Sequence, residues 1–375
     1  MQRVIIGVIS TLFFAAAALG APPPAECRSA LLIEADTGTV LYEHNPNEPL
    51  PPASMIKLMT FYVIMKRAAE KSVTLEDTVT VSAAAARIGG SQVYLKQGET
   101  FTVKELLEAL MIQSANDAAM ALAEYVGGSR EGFVEQMRSE AQRLSLTSAD
   151  FHSPHGLPPG RGQEPDRMSA ADFGRLSRTL LKEFPETLEY TGISEKPFRG
   201  GAFLMRNHNH LLRSYPGCDG LKTGYIAAAG FGVAATAQRN GLRLIAVLMG
   251  CPSRLGRDRE AARLLSSGFA KFRKLTLAET GHPVGIKITV KNGARRETDL
   301  VAASDLSAIV EISDQQIERK VLPCAPPEAP VKRGAPCGMI SFLSAGRELG
   351  RLDLQFGEDI PRLGVIGRLR RWTGY

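Results

Sequence analysis

Ala53-Ser54-Met55-Ile56-Lys57-Leu58-Met59-Thr60-Phe61-Tyr62-Val63-Ile64-Met65 sets a serine and a lysine three residues apart at the head of an apolar run long enough for a buried helix. At such a helix start, free N–H groups and the helix dipole favour a developing negative charge. Lys57 returns over the same face, within reach of the Ser54 hydroxyl. To act as a general base the lysine must be largely neutral, which burial or neighbouring cations bring about. A lone Ser-x-x-Lys is more often a serine cap beside a solvated lysine. Here Met55, Ile56, Leu58 and Met59 flank the pair, and a lysine inside a buried helix needs a reason.

Two further motifs follow in order, Ser114-Ala115-Asn116 and Lys222-Thr223-Gly224. A hydroxyl and a carboxamide two residues apart converge on one point only where a helix is interrupted, and Ser-x-Asn alone reads as capping. On an edge strand Lys222 and Thr223 would normally diverge, but a twisted edge lets Lys222 fill a cleft while Thr223 lines its rim. Lys222 would also be a cation able to depress Lys57. Gly224 removes bulk where a substrate backbone must pass. Each motif is weak in isolation; the ordered triple is the one shared by serine acyl-transferases that react with penicillin.

Strand signals lie at both ends of this region. Ala30–Ala35 and Val40–Glu43 flank an Asp/Gly turn, and Gly230–Ala237 and Leu242–Gly250 flank Asn240-Gly241. Helical patterns fill the interval at 54–70, Val103–Val126, Arg130–Leu144 and Ala170–Phe184. Strands first and last with helices between predict an α+β domain, one sheet covered by helices. From about Thr276 short alternating strands take over, such as Val284–Val290 before the Asn292-Gly293 turn, and predict a small all-β domain. The resulting division is 1–20, 21–275, 276–356 and a tail, 357–375.

The 375 residues are 44% hydrophobic with a formal charge of +6, enough for one large core and a second small one. Lys and Arg are scattered and aromatics reach only 6%, so no nucleic-acid partner is expected. Arg3 ahead of the apolar stretch Val4–Ala18, with Ala18-Leu19-Gly20 behind it, reads as a cleaved secretory signal over 1–20. Of five cysteines, Cys324 and Cys337 flank a proline-rich turn and could close a hairpin, whereas Cys27, Cys218 and Cys251 are expected to be free. No Cys/His spacing suggests a metal; His208 and His210 read as solvent-facing.

The triple, the context Asp219-Gly220-Leu221-Lys222-Thr223-Gly224, the segment His155-Gly156-Leu157 and the late β-domain together resemble a low-molecular-mass penicillin-binding protein, a serine-type D-alanyl-D-alanine carboxypeptidase. The resemblance covers nearly all of the mature chain. It implies a β-lactamase/penicillin-binding-protein-like domain with an antiparallel sheet, no cofactor, and export to the periplasm. It implies Ser54 as acylated nucleophile, Lys57 as base, Ser114 as proton shuttle, Asn116 and Lys222 as substrate-orienting groups, and Thr223 as carboxylate ligand. The N–H groups of Ser54 and Tyr225 would form the oxyanion hole, with Gly224 keeping the strand clear. Arg257 falls where the family keeps an arginine for the same carboxylate, with Arg254 and Arg259 close by. Implied partners are the peptidoglycan stem peptide ending in D-Ala-D-Ala and β-lactams as covalent inhibitors.

Two departures stand out: Tyr225 where histidine is expected, and the proline-rich stretch Pro158–Pro165. The tail, with Val365, Ile366, Leu369 and Trp372 on one helical side and Arg368 and Arg371 roughly opposite, suggests peripheral contact with the outer face of the inner membrane. A class A-like β-lactamase shares the motifs, but no Glu-x-x-Leu-Asn segment and no Ser-Asp-Asn occur. A non-catalytic envelope protein working through the β-domain is the third reading.

Overall fold

The computed structural model describes residues 26–364 apart from 161, 163 and 315; the signal stretch 1–20 and the amphipathic end 365–375 lie outside the described residues. The larger part is built on a five-stranded antiparallel sheet. Its order runs Val40–His44, Ser29–Glu34, Leu242–Cys251, Gly230–Arg239, Cys218–Ile226. The first and last strands of the region thus meet in the centre, where Ser29 pairs with Met249 and Ile33 with Ile245.

The period of two sorts side chains onto the two faces. Leu31 and Ile33, with Ala234, Ile245 and Val247, join the large core shared with the helices Lys57–Ala69 and Ala170–Glu183. Ala30 and Leu32, with Val233, Leu244 and Leu248, pack on the other face against Ala261, Leu264 and Leu265 of the helix Arg254–Lys271. Every residue from Leu58 to Met65 is buried. Each large apolar side chain so placed contributes about 1.5–3 kcal/mol, which is why this helix is fixed under the sheet.

The helix expected over Val103–Val126 is interrupted. An α-turn, Val103–Glu108, runs into a π-helical turn, Ala109–Gln113, which ends at Ser114 in the left-handed region; a new helix, Asn116–Gly127, then starts.

The cysteine expectation is corrected in part. Cys27 and Cys251 are joined in a disulfide, against the expectation that both are free. The sheet register explains it: pairing of Ser29 with Met249 carries Cys27 to Cys251 two residues further on. Cys324 and Cys337 are also bonded, and Cys218 carries the free thiol among the described residues.

A strand at Phe272–Ala278 follows directly from the helix Arg254–Lys271 and pairs with Leu306–Glu311. A second five-stranded sheet comprises Pro283–Thr289, Glu297–Ala302, Arg347–Phe356, Pro336–Ser344 and Glu318–Pro323 in that order, with its own core around Leu300, Ile340 and Leu354. The first residues of the expected tail are held against this domain: Ile360 is buried and bridges Val331, and Leu363 N–H donates to the Asn292 carbonyl.

Candidate active site

Ser54 lies in a short 3-10 turn, Ala53–Ile56, that feeds straight into the helix beginning at Lys57. Lys57 is 0% exposed. Its Nζ stands 2.8 Å from Ser54 Oγ, 2.7 Å from Asn116 Oδ1, 3.1 Å from the His155 carbonyl and 3.5 Å from Ser114 Oγ. Burial first and the Lys222 charge second hold its pKa well below the ordinary lysine value, with Asp117 opposing. The neutral amine is thereby favoured. A neutral amine has two N–H donors and one lone pair. Asn116 Oδ1 and the His155 carbonyl can only accept, so they take both donors and leave the lone pair for a hydroxyl.

The broken helix delivers Ser114 and Asn116 to the same nitrogen. With Ser114 at φ 60° and Ala115 extended, the chain turns out of one helix and into the next within two residues. Asn116 is fixed at its other end, where Nδ2 donates to the Gly89 carbonyl at 2.7 Å. A Cβ on Gly90 would stand 2.6 Å from that Nδ2, so the loop must be glycine there. Asp117, one residue on, accepts from the N–H groups of Val93 and Leu95 and pins this loop to the helix start.

Cys218–Ile226 is the edge strand of the sheet. Lys222 on it is 2% exposed, and its Nζ donates to Ser114 Oγ at 2.9 Å and to the Thr223 carbonyl at 3.0 Å. Burial and, after it, the Arg257 charge push its pKa down to about 7. The strand runs against the serine turn: a Cβ on Gly224 would lie 2.6 Å from the Pro52 carbonyl oxygen and 3.0 Å from the Met55 nitrogen. From the opposite side Gly156, at φ +76°, abuts the Ala53 carbonyl.

These elements enclose a cleft of about 320 Å³, lined by Ser54, Ser114, Thr223, Gly224, Tyr225 and Arg257, together with Ser91, His208, His210, Phe231 and Arg254. Of the residues singled out from the sequence, Lys57, Asn116 and Lys222 are buried behind the lining, joined to it through Ser54, Ser114 and Thr223, and the others form the wall. Arg257 is 3% exposed. Arg259 is absent from the lining, whereas Arg254 belongs to it. Tyr225 is 54% exposed and stacks on Phe231 with ring centroids 4.2 Å apart, so the departure from histidine falls on the outer rim.

His208 and His210 are exposed, as expected, yet both line the cleft. Lys222 and Lys57 add to partial burial in lowering the His208 pKa. The sequence signal was the alternation in Asn207-His208-Asn209-His210. The two asparagines are buried and fasten the loop, Asn209 Nδ2 to the Gly220 carbonyl and Asn207 Nδ2 to those of Thr191 and Ile193, which turns the histidines outward.

A cleft-lining serine beside a buried lysine, set between an antiparallel sheet and a helical layer with a second lysine reaching in from the edge strand, defines a penicillin-interacting serine hydrolase. A family model described as D-alanyl-D-alanine carboxypeptidase matches residues 16–253. D-alanyl-D-alanine carboxypeptidase DacF of Bacillus subtilis is 34% identical over 354 residues, 93% of this chain and 90% of that protein. D-alanyl-D-alanine carboxypeptidase DacC of Escherichia coli is 33% identical over 368 residues, 95% of this chain and 90% of that protein. The crystal structure of penicillin binding protein 5 from Haemophilus influenzae superposes with a TM-score of 0.77 at 27% identity, covering 92% of this chain and 100% of that one. This chain belongs to the D-alanyl-D-alanine carboxypeptidase family and is a serine-type D-Ala-D-Ala carboxypeptidase. Covalent penicillin binding is typical of the family.

Proposed function

We propose that Ser54 is the acylated nucleophile and Lys57 its general base. The observation that carries this is the Lys57 amine, fully buried, with two fixed acceptors and its remaining valence toward Ser54 Oγ at 2.8 Å. Ser54 Oγ attacks the carbonyl carbon of the penultimate D-Ala while its proton passes to Lys57 Nζ. The oxyanion meets the N–H groups of Ser54 and Tyr225, each such donor being worth roughly 10²–10³ in rate. When the C–N bond breaks, the leaving D-Ala nitrogen takes a proton through Ser114, whose oxygen lies within 3.5 Å of both lysine nitrogens. Water then attacks the ester carbonyl as Lys57 takes its proton, the acyl C–Oγ bond breaks, and Lys57 Nζ, 2.8 Å away, returns that proton to Ser54 Oγ. Asn116 and Lys222 orient the substrate, and Thr223 and Arg257 bind the free carboxylate, Gly224 leaving room for the peptide.

The substrate we infer is the peptidoglycan stem pentapeptide, reached in the periplasm after export. The support is the signal-like 1–20 stretch, two disulfides, and the envelope setting of the family. D-Ala release from a peptide ending in Lys-D-Ala-D-Ala, measured beside nitrocefin turnover, tests this: release is expected from the wild type and loss from Lys57→Ala. Dominant nitrocefin hydrolysis would favour the β-lactamase reading instead. For the tail we propose weak peripheral binding to the outer face of the inner membrane, supported by the sequence pattern that sets Val365, Ile366, Leu369 and Trp372 against Arg368 and Arg371. Equal recovery of the full chain and a truncation ending at Gly364 with anionic vesicles at low salt would remove that role.

A further inference from the structure

Arg257 would need its guanidinium held in place to read a carboxylate. Its Nε and Nη2 both donate to a single oxygen of Asp258, at 2.9 and 2.6 Å. Side chains at successive helix positions do not face one another, so this pairing exists only because the arginine folds back onto its neighbour. The other oxygen of Asp258 lies 3.6 Å from Nδ1 of His210, on the loop that precedes the edge strand. Arg257 and His210 line the cleft; Asp258 stands behind them, with its side chain 13% exposed. Burial disfavours the Arg257 cation most, Asp258 opposes that effect, and Arg254 adds a smaller unfavourable charge. A guanidinium has five N–H donors, so two held by Asp258 leave three for a ligand.

We propose that Asp258, braced by His210, is a positioning residue for recognition of the substrate's terminal carboxylate. It touches no substrate atom and acts by fixing the Arg257 guanidinium at the cleft wall. The proposal rests on the reading of Arg257 given above.

The test compares kcat/KM for a peptide ending in free D-Ala-D-Ala with that for its C-terminal carboxamide. Wild type, Arg257→Ala, Asp258→Ala and Asp258→Asn are assayed, and the acid-to-amide ratio is the readout. Arg257→Ala is expected to collapse the ratio. Asp258→Ala should lower it about tenfold, through KM rather than kcat, and Asp258→Asn, which keeps an acceptor oxygen, should restore most of it. A ratio unchanged in Asp258→Ala but lowered in Arg257→Ala overturns the role of Asp258 alone. An equal fall for both substrates makes Asp258 merely structural and also overturns it. An unchanged ratio in Arg257→Ala removes the carboxylate assignment and the proposal with it. Should Asp258→Ala not fold, His210→Ala carries the test: a smaller drop in the same ratio supports the proposal and an unchanged ratio overturns it.

Discussion

Lys222 and Ser114, 108 residues apart in the chain, are joined by a 2.9 Å hydrogen bond, and that bond ties the edge strand to the broken helix. It links two buried lysines through one hydroxyl, since Ser114 Oγ is also 3.5 Å from Lys57 Nζ. Two ammonium groups so close in a desolvated site oppose one another, so a proton added to one is disfavoured by the other.

The nucleophile assignment has a direct consequence. Labelled penicillin should attach covalently at Ser54, and Ser54→Ala should abolish labelling while leaving the melting temperature within a few degrees of wild type. Gel fluorography with peptide mapping reads the site; labelling retained in the variant would move the nucleophile elsewhere.

The buried lysine charge sets a pH dependence of stability. The folded-state pKa of Lys222, about 7, lies below its unfolded value of 10.5. Between those values the unfolded chain binds more protons, so the destabilising effect of Lys222 is fullest below about pH 7 and fades as pH rises toward 10.5. Lys222→Met removes the titrating group. The melting temperature of the variant relative to wild type should therefore be higher at pH 7 than at pH 10, even as activity is lost. Thermal unfolding at the two pH values decides it, and an equal difference at both would show that Lys222 titrates normally.

The sheet, the covering helices and the late β-domain were legible because each rests on local periodicity: Leu31/Ile33 against Ala30/Leu32, or the unbroken run Leu58–Met65. The Ser54–Lys57 pair was legible for the same reason, its spacing being one helical turn. The π-helical turn at Ala109–Gln113 was not, since Val103–Val126 keeps helical periodicity through it and only tertiary contacts of Asn116 and Asp117 select the break. The cleft wall from His208, His210 and Phe231 depends on how two separate segments, the 207–210 loop and the strand Gly230–Arg239, meet, which no local pattern encodes.

Close approach of backbones around the serine turn makes Gly156 more sensitive than an ordinary glycine. A Cβ there would stand 2.1 Å from the Ala53 carbonyl oxygen, at a φ of +76°. Gly98, at φ +84°, has nothing within 4 Å of the same position. Gly98→Ala should cost about 1–2 kcal/mol from backbone strain alone and leave penicillin acylation unchanged. Gly156→Ala must displace the Ala53 backbone next to Ser54, so acylation should slow by more than about tenfold. Second-order acylation rates for the two variants separate local strain from a displaced nucleophile.

The two disulfides should differ in weight. Cys27–Cys251 closes a separation of 224 residues and Cys324–Cys337 one of 13. Constraint of the unfolded chain grows with loop length, so breaking the first should cost about 2–5 kcal/mol and breaking the second less. Location separates them as well. Cys27 and Cys251 sit in the core between the main sheet and the helix Arg254–Lys271, whereas Cys337 belongs to the core of the β-domain. Cys251 is three residues ahead of Arg254 and six ahead of Arg257, so the first bond also anchors the start of the helix that carries the cleft arginines. Cys27→Ser with Cys251→Ser should lower the melting temperature of the penicillin-labelling domain and raise KM for free-ended peptides. Cys324→Ser with Cys337→Ser should leave KM unchanged. Calorimetry with steady-state kinetics on both double variants checks the order, and an equal loss of stability in the two would deny the long loop its larger share.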